Sequence, residues 1–568
     1  MAALFKSLCE LLEKVEATKK RLEIIEQTTN YLKTLEAVEI EPATNMMVGR
    51  AFPKYSQKSL DVSWLTLTHI FERIRQFDWD LFSQGMARTG DIGSATKIVL
   101  EQTKAKKQTQ LEQKSLSITE VRTTLDAIAQ AQGSGSRTKK ERLITALMSQ
   151  AEPVEAKYLV KIFTGEMRTG LHEGLMEQAV AKAFAVPLQS VRHGSMVLGD
   201  IGEVVAVLKM RGVEGLENAS FRVFRPVKLM LAQTAQSVQE ALTEQGGKTA
   251  FEYKYDGARV QIHKQNGLVE VFSRRLNNVT ASLPEVVEAV KQNIQGQSAI
   301  VEGEVIALDS AGFPIAFQHL MRRFKRIRGV STMAEKMPIT LYLFDILYLN
   351  GDSLITHPYV QRREILTQTA GKIPLSNQIV TDELAEAEGF LKEAIASGHE
   401  GLMAKKLDSP YTPGRRGKRW LKIKTILEPL DLIITAAEYG YGRRKGWLSD
   451  YYLAARNPHT GELLNIGKTF KGLTDAEIIE LTKRLKESVI SREGHRVNVI
   501  PKIVVEVAYN EIQQSPRYKS QMALRFARIT RIRDDKIPEE ADSIERVREI
   551  YERQFRNKGK YNQDQAGG

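Results

Sequence analysis

The chain has 568 residues, of which 42% are hydrophobic and 27% charged, and its formal net charge is +13 at pH 7. This length exceeds what one hydrophobic core supports and predicts about three domains. No apolar run is long enough for a membrane span and no secretory segment begins the chain, so we expect a cytoplasmic protein. The single cysteine, Cys9, excludes a disulfide framework and a multi-cysteine zinc site, and the positive charge favours a polyanionic partner.

The first 225 residues carry a helical pattern. Apolar residues recur at helical spacing near the N-terminus, and similar patterns run through 60–77 and 143–162. Residues 130–140, rich in glycine, serine and lysine, predict a flexible basic loop. Residues 163–171, with the sequence FTGEMRTGL, combine glycines with Arg168, which suits contact with phosphates as well as a plain turn between helices.

The most informative segment is 251–259, with the sequence FEYKYDGAR. Aromatic and charged residues alternate over its first six positions, which predicts a half-buried strand with Glu252, Lys254 and Asp256 on one face. A surface strand with solvated charges fits the same pattern.

A hairpin is predicted directly after this strand. Residues 259–263 alternate, 265–267 form a turn signal, and 269–273 alternate back, so Arg259 should lie nearly opposite Arg274. A lysine and two arginines at one end of a hairpin suit a polyphosphate. A lysine amine that has lost its proton can attack phosphorus.

Two later strands carry acidic residues. The segment 299–309 places Glu302 and Glu304 on one face of an otherwise apolar strand, where carboxylates are costly unless they bind a cation or a hydroxyl. An edge strand with both carboxylates in water is the alternative. The apolar run 339–348 reads as a central strand that contains Phe344 and Asp345.

The spelling Lys254-x-Asp256-Gly257-x-Arg259 resembles the KxDGxR motif of the covalent nucleotidyltransferases, which are DNA ligases, RNA ligases and mRNA capping enzymes. In that family the lysine amine attacks the α-phosphate of a nucleotide. Further segments resemble the family's other motifs in the same order: 273–275 (SRR), 302–304 (EGE), 400–405 (EGLMAK), 420–424 (WLKIK) and 525–536 (RFARITRIRDDK). The last departs from the family's pattern at Ala527 and Ile529, which stand where proline and phenylalanine are usual. Segment 163–171 resembles one in the DNA-binding domain of archaeal and eukaryotic DNA ligases.

The resemblance implies a role for each matching residue. Lys254 is expected to be the catalytic nucleophile, and Glu304 and Glu400 are expected to hold a metal. The expected nucleotide-binding residues are Glu252, Arg259, Arg274, Glu304, Phe344, Arg416, Lys422 and Lys424. Supporting roles are expected for Asp256, Asp345, Arg531, Arg533, Asp535 and Lys536, and DNA-binding roles for Arg168, Arg443, Arg444 and Lys445.

The architecture implied is a multidomain α+β chain similar to ATP-dependent DNA ligases of the archaeal and eukaryotic type. We expect an all-α DNA-binding domain over 1–225, an α+β nucleotidyltransferase (adenylation) domain over 226–426, and an OB-fold β-barrel over 427–568 with a C-terminal helix and a disordered tail. The expected activity is the sealing of nicks in duplex DNA, in replication, repair and recombination. ATP is the expected co-substrate and Mg²⁺ or Mn²⁺ the expected metal.

Three other interpretations are weighed against this one. An RNA ligase or capping enzyme would not be expected to carry the helical first 225 residues, and an NAD-dependent ligase is disfavoured by the single cysteine. A catalytically inert nucleic-acid-binding scaffold is disfavoured because Lys254, Asp256, Arg259, Glu304 and Glu400 are all present. The chain is expected to be a monomer that binds nicked duplex DNA and no membrane. A sliding clamp is a candidate partner, and in a prokaryote the protein would be associated with the nucleoid.

Overall fold

The computed structural model of the chain describes residues 3–73, 77–105, 115–309, 312–324, 337–414, 416–424, 427–440, 444, 446–556 and 558, with only the backbone at 103–105 and 322. Arg443 and Lys445, two of the predicted DNA-binding residues, lie outside these ranges, and so does nearly all of the tail that was predicted to be disordered.

The N-terminal part is helical, as its apolar spacing predicts. Its helices share one hydrophobic core, to which α1 contributes Phe5, Leu8 and Leu12. None of the described helices is long and apolar enough to cross a bilayer. The helices are α1 (Phe5–Ala17), α2 (Arg21–Thr34), α3 (Ala37–Met47), α4 (Trp64–Arg73), α5 (Trp79–Thr89), α6 (Ile92–Ala105), α7 (Ile118–Gln130), α8 (Ser136–Gln150), α9 (Pro153–Thr164), α10 (Glu173–Ala183), α11 (Leu188–Leu198) and α12 (Ile201–Glu217).

The prediction of a flexible basic loop over 130–140 is wrong in its second half. Helix α8 begins at Ser136, and its first turns are stabilised by contacts that the composition does not reveal. Arg137 binds Glu141 one turn later at 3.0 Å, and the Lys140 ammonium donates to the carbonyl of Leu60 at 2.8 Å.

The central part consists of two five-stranded sheets flanked by helices. One sheet has the order β1 (Leu231–Ala235), β10 (Arg416–Lys424), β9 (Gly401–Lys406), β2 (Thr249–Lys254), β8 (Gln378–Thr381). The other has the order β4 (Leu268–Ser273), β3 (Ala258–Gln265), β5 (Ser298–Ala307), β6 (Ile339–Leu349), β7 (Asp352–Ser353). Helices α13 (Val238–Gln245), α14 (Pro284–Asn293), α15 (Phe317–Phe324), α16 (Tyr359–Thr369) and α17 (Leu384–Ala396) accompany them.

The predicted strand and hairpin are confirmed. Strand β2 ends at Lys254, and β3 pairs with β4 so that Val260 faces Ser273, which puts Arg259 at the same end as Arg274. The turn at Asn266 and Gly267 has φ values of 49° and 79°, the left-handed conformation that this pair of residues tolerates. Because the chain passes from β2 directly into β3, it connects the two sheets at the segment that carries Lys254 and Arg259.

The C-terminal part is rich in strands, as predicted. Its main sheet follows the order β13 (Leu463–Thr469), β12 (Leu448–Arg456), β11 (Leu430–Tyr439), β15 (Arg496–Val499), β14 (Val489–Glu493), and β16 (Val504–Ala508) pairs with both β11 and β19 (Arg528–Ile532). Strands β17 (Glu511–Gln514) and β18 (Met522–Arg525) form a separate pair. Helix α18 (Asp475–Lys486) and the closing helix α19 (Ile544–Phe555) pack on the same hydrophobic core.

Candidate active site

A cavity of about 200 Å³ lies where the two central sheets meet. The first sheet contributes Lys254 from β2 and the lysines of β10, and the second contributes Arg259, Glu304 and Phe344 from β3, β5 and β6. The predicted residues Glu252, Arg274, Arg416, Lys422 and Lys424 also line it. Nine of the predicted site residues therefore line one cavity.

Lys254 lies at the polar end of this cavity, beside Glu400. The Lys254 and Lys424 ammonium groups each lie 2.5 Å from the same oxygen, Glu400 Oε2. Burial alone would lower the pKa of Lys254, but the Glu400 carboxylate, with smaller contributions from Glu304 and Asp256, raises it above its ordinary value. Lys254 is thus an ammonium ion here, and its amine must lose a proton before it can attack.

A group of cations surrounds this ion pair. Burial first, and then Lys424, Arg416, Lys254 and Arg274, lower the pKa of Lys422. Within the described ranges, Lys422, Arg274 and Arg416 make no ion pair. Positive charges that repel one another across a cavity are stabilised by an anion between them, and phosphate groups are suited to these donors.

Glu304 faces the cavity as a carboxyl group without a hydrogen bond among the described residues. Burial raises its pKa to about 7, Lys254 and Arg259 oppose that rise, and Glu400 adds to it. Two neighbouring carboxyl groups beside a phosphate site suit Mg²⁺, which takes one or two carboxylates together with phosphate oxygens. Among the described residues, no group of three or more histidine, cysteine, aspartate or glutamate side chains is placed to hold a metal ion.

Arg259 is fixed by a buried network behind the cavity wall. Its guanidinium donates to Glu302 Oε2 at 2.7 Å and to the Met230 carbonyl at 2.8 Å. The Tyr411 hydroxyl donates to the other oxygen of Glu302 at 2.9 Å, and the Gln261 amide donates to it at 3.1 Å. Glu302 thus binds a cation and a hydroxyl, as the cost of a buried carboxylate on β5 predicts.

The end of the cavity that contains the aromatic rings of Phe344 and Trp420 also contains a second buried ion pair. Lys405 Nζ lies 2.7 Å from Glu252 Oε2 and donates to the Phe344 carbonyl at 3.2 Å. The other oxygen of Glu252 accepts from the Tyr359 hydroxyl and from the Gln378 amide. The Lys405 ammonium also lies 4.5 Å from the centre of the Trp420 ring and 4.8 Å from that of Phe344. This end therefore combines aromatic faces with one buried cation and one buried anion.

Asp345 lies behind the cavity wall, opposite Glu302 on the neighbouring strand, and does not line the cavity. Its carboxylate binds the Arg362 guanidinium at 2.8 and 3.0 Å, and both side chains are fully buried. The residue supports β6, and with it Phe344, through α16 rather than by reaching toward a metal.

Asp256 binds a residue from the far end of the chain. The Lys558 ammonium contacts Asp256 Oδ2, and both side chains are largely buried. The C-terminal segment therefore reaches the lysine motif in this structure.

Comparisons with known proteins agree along the whole chain. Residues 4–181 match the family model for the DNA ligase N terminus, 229–424 match the ATP dependent DNA ligase domain, and 444–536 match the ATP dependent DNA ligase C terminal region. A DNA ligase of Thermococcus onnurineus is 42% identical over 98% of this chain and 99% of its own length, and DNA ligase 1 of Korarchaeum cryptofilum is 45% identical over 97% and 99%.

The chain belongs to the ATP-dependent DNA ligases. Its function is DNA ligation with ATP as co-substrate, and a divalent metal is typical of the family. A solved structure titled Pmar-Lig_PreS3 shares the fold, with a TM-score of 0.58 and 16% identity over 93% of this chain and 99% of that one.

The ligase motif at 525–536 lies away from the cavity in this structure. Arg533 and Lys536 both bind Asp431, at 2.9 and 2.7 Å, and Asp535 binds Arg533 at 2.7 Å. Arg531 lies 3.3 Å from Glu506. These residues form ion pairs within the C-terminal part and do not line the cavity that contains Lys254.

The predicted DNA-binding residues of the ligase differ in their surroundings. Arg168 is exposed on the loop after α9, where it lies 2.7 Å from Glu166. Arg444 binds Asp475 at 3.2 Å and is only a quarter exposed, so it is held within the C-terminal part.

Three further residues of the ligase cavity and its surroundings were not predicted to have roles: Tyr411 behind Arg259, Lys405 beside Glu252, and Lys558 beside Asp256. The alternation of β9 could have revealed Lys405, because Leu402 and Ala404 face the core while Met403 and Lys405 face the cavity. No local sequence pattern predicts a role for Lys558, because its contact partner, Asp256, lies 302 residues earlier in the chain.

Proposed function

We propose that Lys254 carries AMP as a covalent intermediate between ATP and DNA. The Lys254 amine, once deprotonated, attacks the α-phosphorus of ATP, so that an N–P bond forms while the bond to pyrophosphate breaks. An oxygen of the 5′-phosphate at a nick then attacks the same phosphorus and the N–P bond breaks. The 3′-hydroxyl finally attacks the activated 5′-phosphate, AMP leaves, and the strand is sealed.

The observation that carries this proposal is the position of Lys254 in a cation-lined cavity, next to Glu400. In the proposed mechanism Lys422, Lys424, Arg274 and Arg416 offset the charge of the phosphate groups. Glu304 and Glu400 would hold the divalent cation, which would supply further positive charge at the phosphates when bound. Asp256 supports the lysine motif from the turn that follows β2.

The end of the cavity that contains the aromatic rings would receive the base. The Phe344 ring, which lines the cavity, would stack on the base. The Trp420 ring lies against the Lys405 ammonium instead. A lysine has three hydrogens, and two of those on Lys405 are directed to Glu252 and to the Phe344 carbonyl. The remaining hydrogen and the Glu252 carboxylate form an adjacent donor and acceptor, which complement the ring nitrogen and amino group of adenine.

The remaining expectations are proposals about the whole chain. Domains of residues 1–225, 226–426 and 427–568 would act together on nicked duplex DNA, with Arg168, Arg443, Arg444 and Lys445 near its backbone. Arg531, Arg533 and Lys536 would meet the leaving pyrophosphate after the C-terminal domain moves, with Asp535 orienting Arg533. We further propose a cytoplasmic monomer, associated with the nucleoid in a prokaryotic cell, that serves replication, repair and recombination, with a sliding clamp as a candidate partner.

The test is incubation with α-labelled ATP or GTP and a divalent cation, followed by a denaturing gel. The expected result is a label retained from ATP and absent in Lys254→Ala. A label that persists in Lys254→Ala would assign the intermediate to another residue, and preferential labelling by GTP would favour capping chemistry. The absence of any label in the intact chain would contradict the covalent mechanism.

A further inference from the structure

The loop that follows α9 has an unusual backbone. Gly165, Arg168 and Gly170 have φ values of 70°, 48° and 84°, so three of its first six residues, 165–170, are left-handed. Glycine adopts this conformation freely, but arginine does so at an energetic cost. Such a residue keeps its conformation only where the surrounding structure holds it.

A buried lysine provides that hold. The Lys161 ammonium, on a side chain only 1% exposed, donates to the Met167 carbonyl at 3.1 Å. It also lies 3.1 Å from Glu16 Oε1 and 3.2 Å from Asp91 Oδ2. The three hydrogens of the ammonium thus have three oxygen partners. One of these partners is the carbonyl of the peptide that leads directly into Arg168.

The packing of α6 against α9 brings the partners together. A Cβ atom on Gly93 would lie 2.6 Å from the Lys157 carbonyl and 2.9 Å from Lys161 Cγ, so only glycine permits this approach. Asp91, at the start of α6, accepts from the Ser94 backbone amide with one oxygen and meets Lys161 with the other. The same turn contacts Arg168, whose guanidinium donates to the Gly90 carbonyl at 3.4 Å.

We propose that Lys161 is a positioning residue for DNA binding, which fixes the loop 165–170 so that Arg168 faces the DNA backbone. The proposal rests on the DNA-binding role given above to Arg168. Without the Lys161 amine, the Met167 carbonyl loses a charged donor and the strained loop can relax. Arg168 then has to be ordered when DNA binds, and that ordering lowers affinity.

The same helix supplies a matched control. Lys157 lies one turn before Lys161, is only 6% exposed, and contacts the Glu13 and Glu16 carboxylates, the latter at 2.8 Å. Within the described part of the chain its ammonium makes no contact with the loop 165–170. Replacement of either lysine by methionine removes one charge from one buried cluster, but only the change at Lys161 removes the contact to Met167.

The experiment uses the full chain with Lys161→Met, Lys157→Met or Arg168→Ala, and a nicked duplex. The measurements are the dissociation constant over a range of salt concentrations, the thermal midpoint, and the rate of Lys254 adenylation without DNA. We expect Lys161→Met and Arg168→Ala to weaken DNA binding about tenfold and to reduce the salt slope by about 1, as loss of one phosphate contact does. Lys157→Met should lower the thermal midpoint similarly to Lys161→Met but keep the DNA affinity, and both lysine variants should adenylate at the normal rate.

The outcomes separate the two proposals. If Arg168→Ala weakens binding while Lys161→Met binds DNA as Lys157→Met does, the positioning role is overturned and the loop's own role stands. If Arg168→Ala binds normally, the DNA-binding role of the loop is overturned first. Should Lys161→Met not fold, Asp91→Asn keeps the helix cap but weakens the hold on Lys161, and we expect about a threefold loss of affinity; unchanged affinity in that variant would contradict the proposal.

Discussion

The carboxylate of Glu302 illustrates how one buried group controls a residue of the cavity wall. We expect Glu302→Gln to leave the buried Arg259 charge without its anionic partner, at a cost of about 3 kcal/mol in the free energy of unfolding. Because Arg259 then also loses its fixed orientation, Lys254 adenylation should slow. Chemical denaturation and the rate of label incorporation from α-labelled ATP measure the two effects.

Tyr411→Phe is the control for this prediction. It removes the hydroxyl that donates to Glu302 and accepts from the Met230 amide and from Arg259. The ion pair between Glu302 and Arg259 remains, so the loss should be about 2 kcal/mol. Equal stability losses in the two variants would show that the charge of Glu302 is not what matters.

The Lys405–Glu252 pair allows a test of base recognition by a double substitution. Lys405→Met alone leaves Glu252 buried and charged, so it should destabilise the fold by about 3 kcal/mol. The combination of Lys405→Met and Glu252→Gln removes both charges and should recover most of that stability. Its KM for ATP in self-adenylation should still be about tenfold higher, because one lost hydrogen bond of this kind costs about 1.4 kcal/mol.

If the double variant regains stability and also binds ATP normally, the pair is structural and does not read the base. A normal KM in Lys405→Met alone would give the same answer.

At the level of single residues, the sequence predicted what short spacing can encode. Lys254, Arg259, Glu304 and the lysines of β10 were found because motif order and strand alternation place them on known faces. The proton state of Lys254 could not be predicted, because neighbouring cations and carboxylates act in opposite directions. Only the 2.5 Å contact with Glu400 shows that the carboxylates raise its pKa.

At the level of elements, strand β3 contains a histidine that makes stability depend on pH. Burial lowers the pKa of His263 to about 3, and the ring accepts from the Phe224 backbone amide at 3.0 Å. A base with a lowered pKa in the folded state takes up protons more readily when unfolded. The resulting stability is present above the unfolded pKa of 6.5 and is lost as the pH falls toward 3.

We therefore expect acid to destabilise the hairpin region through His263. At pH 5 this group alone should cost about 2 kcal/mol relative to pH 7 or above. Urea unfolding at pH 7 and pH 5 should show that His263→Gln loses less stability than the wild type over this interval, by that amount. Parallel pH profiles for the two proteins would contradict the assignment.

Helices and strands were predictable where the hydrophobic pattern extends over many residues and where glycine, proline or asparagine marks its end. The hairpin turn at Asn266 and Gly267 is found where the pattern puts it. The start of α8 was missed because serine, lysine and glycine composition favours a loop, whereas Lys140 and Arg137 stabilise the helix through side-chain contacts. Tertiary contacts thus overrode a weak local preference.

At the level of the whole molecule, the sequence does not encode which domains touch at rest. The motif of Arg531, Arg533 and Lys536 was recognised from its letters, but in this structure Asp431 and Glu506 bind it within the C-terminal part. The contact that does reach the lysine motif comes from Lys558, beyond the recognised segments. Motif order therefore predicts the chemistry of the ligase, while its resting arrangement depends on long-range ion pairs.

The Lys558–Asp256 contact gives a prediction about the arrangement of the whole chain. Lys558→Ala removes a largely buried ion pair that joins the C-terminal segment to the turn after Lys254, so the C-terminal part should move more freely. Small-angle scattering should then give a larger radius of gyration in the absence of DNA. Arg556→Ala is the matched control, because it removes the same charge two residues earlier from an exposed side chain and should leave the radius unchanged. If both variants scatter as the wild type does, Lys558 does not hold the C-terminal part in place, and the other contacts between the domains suffice.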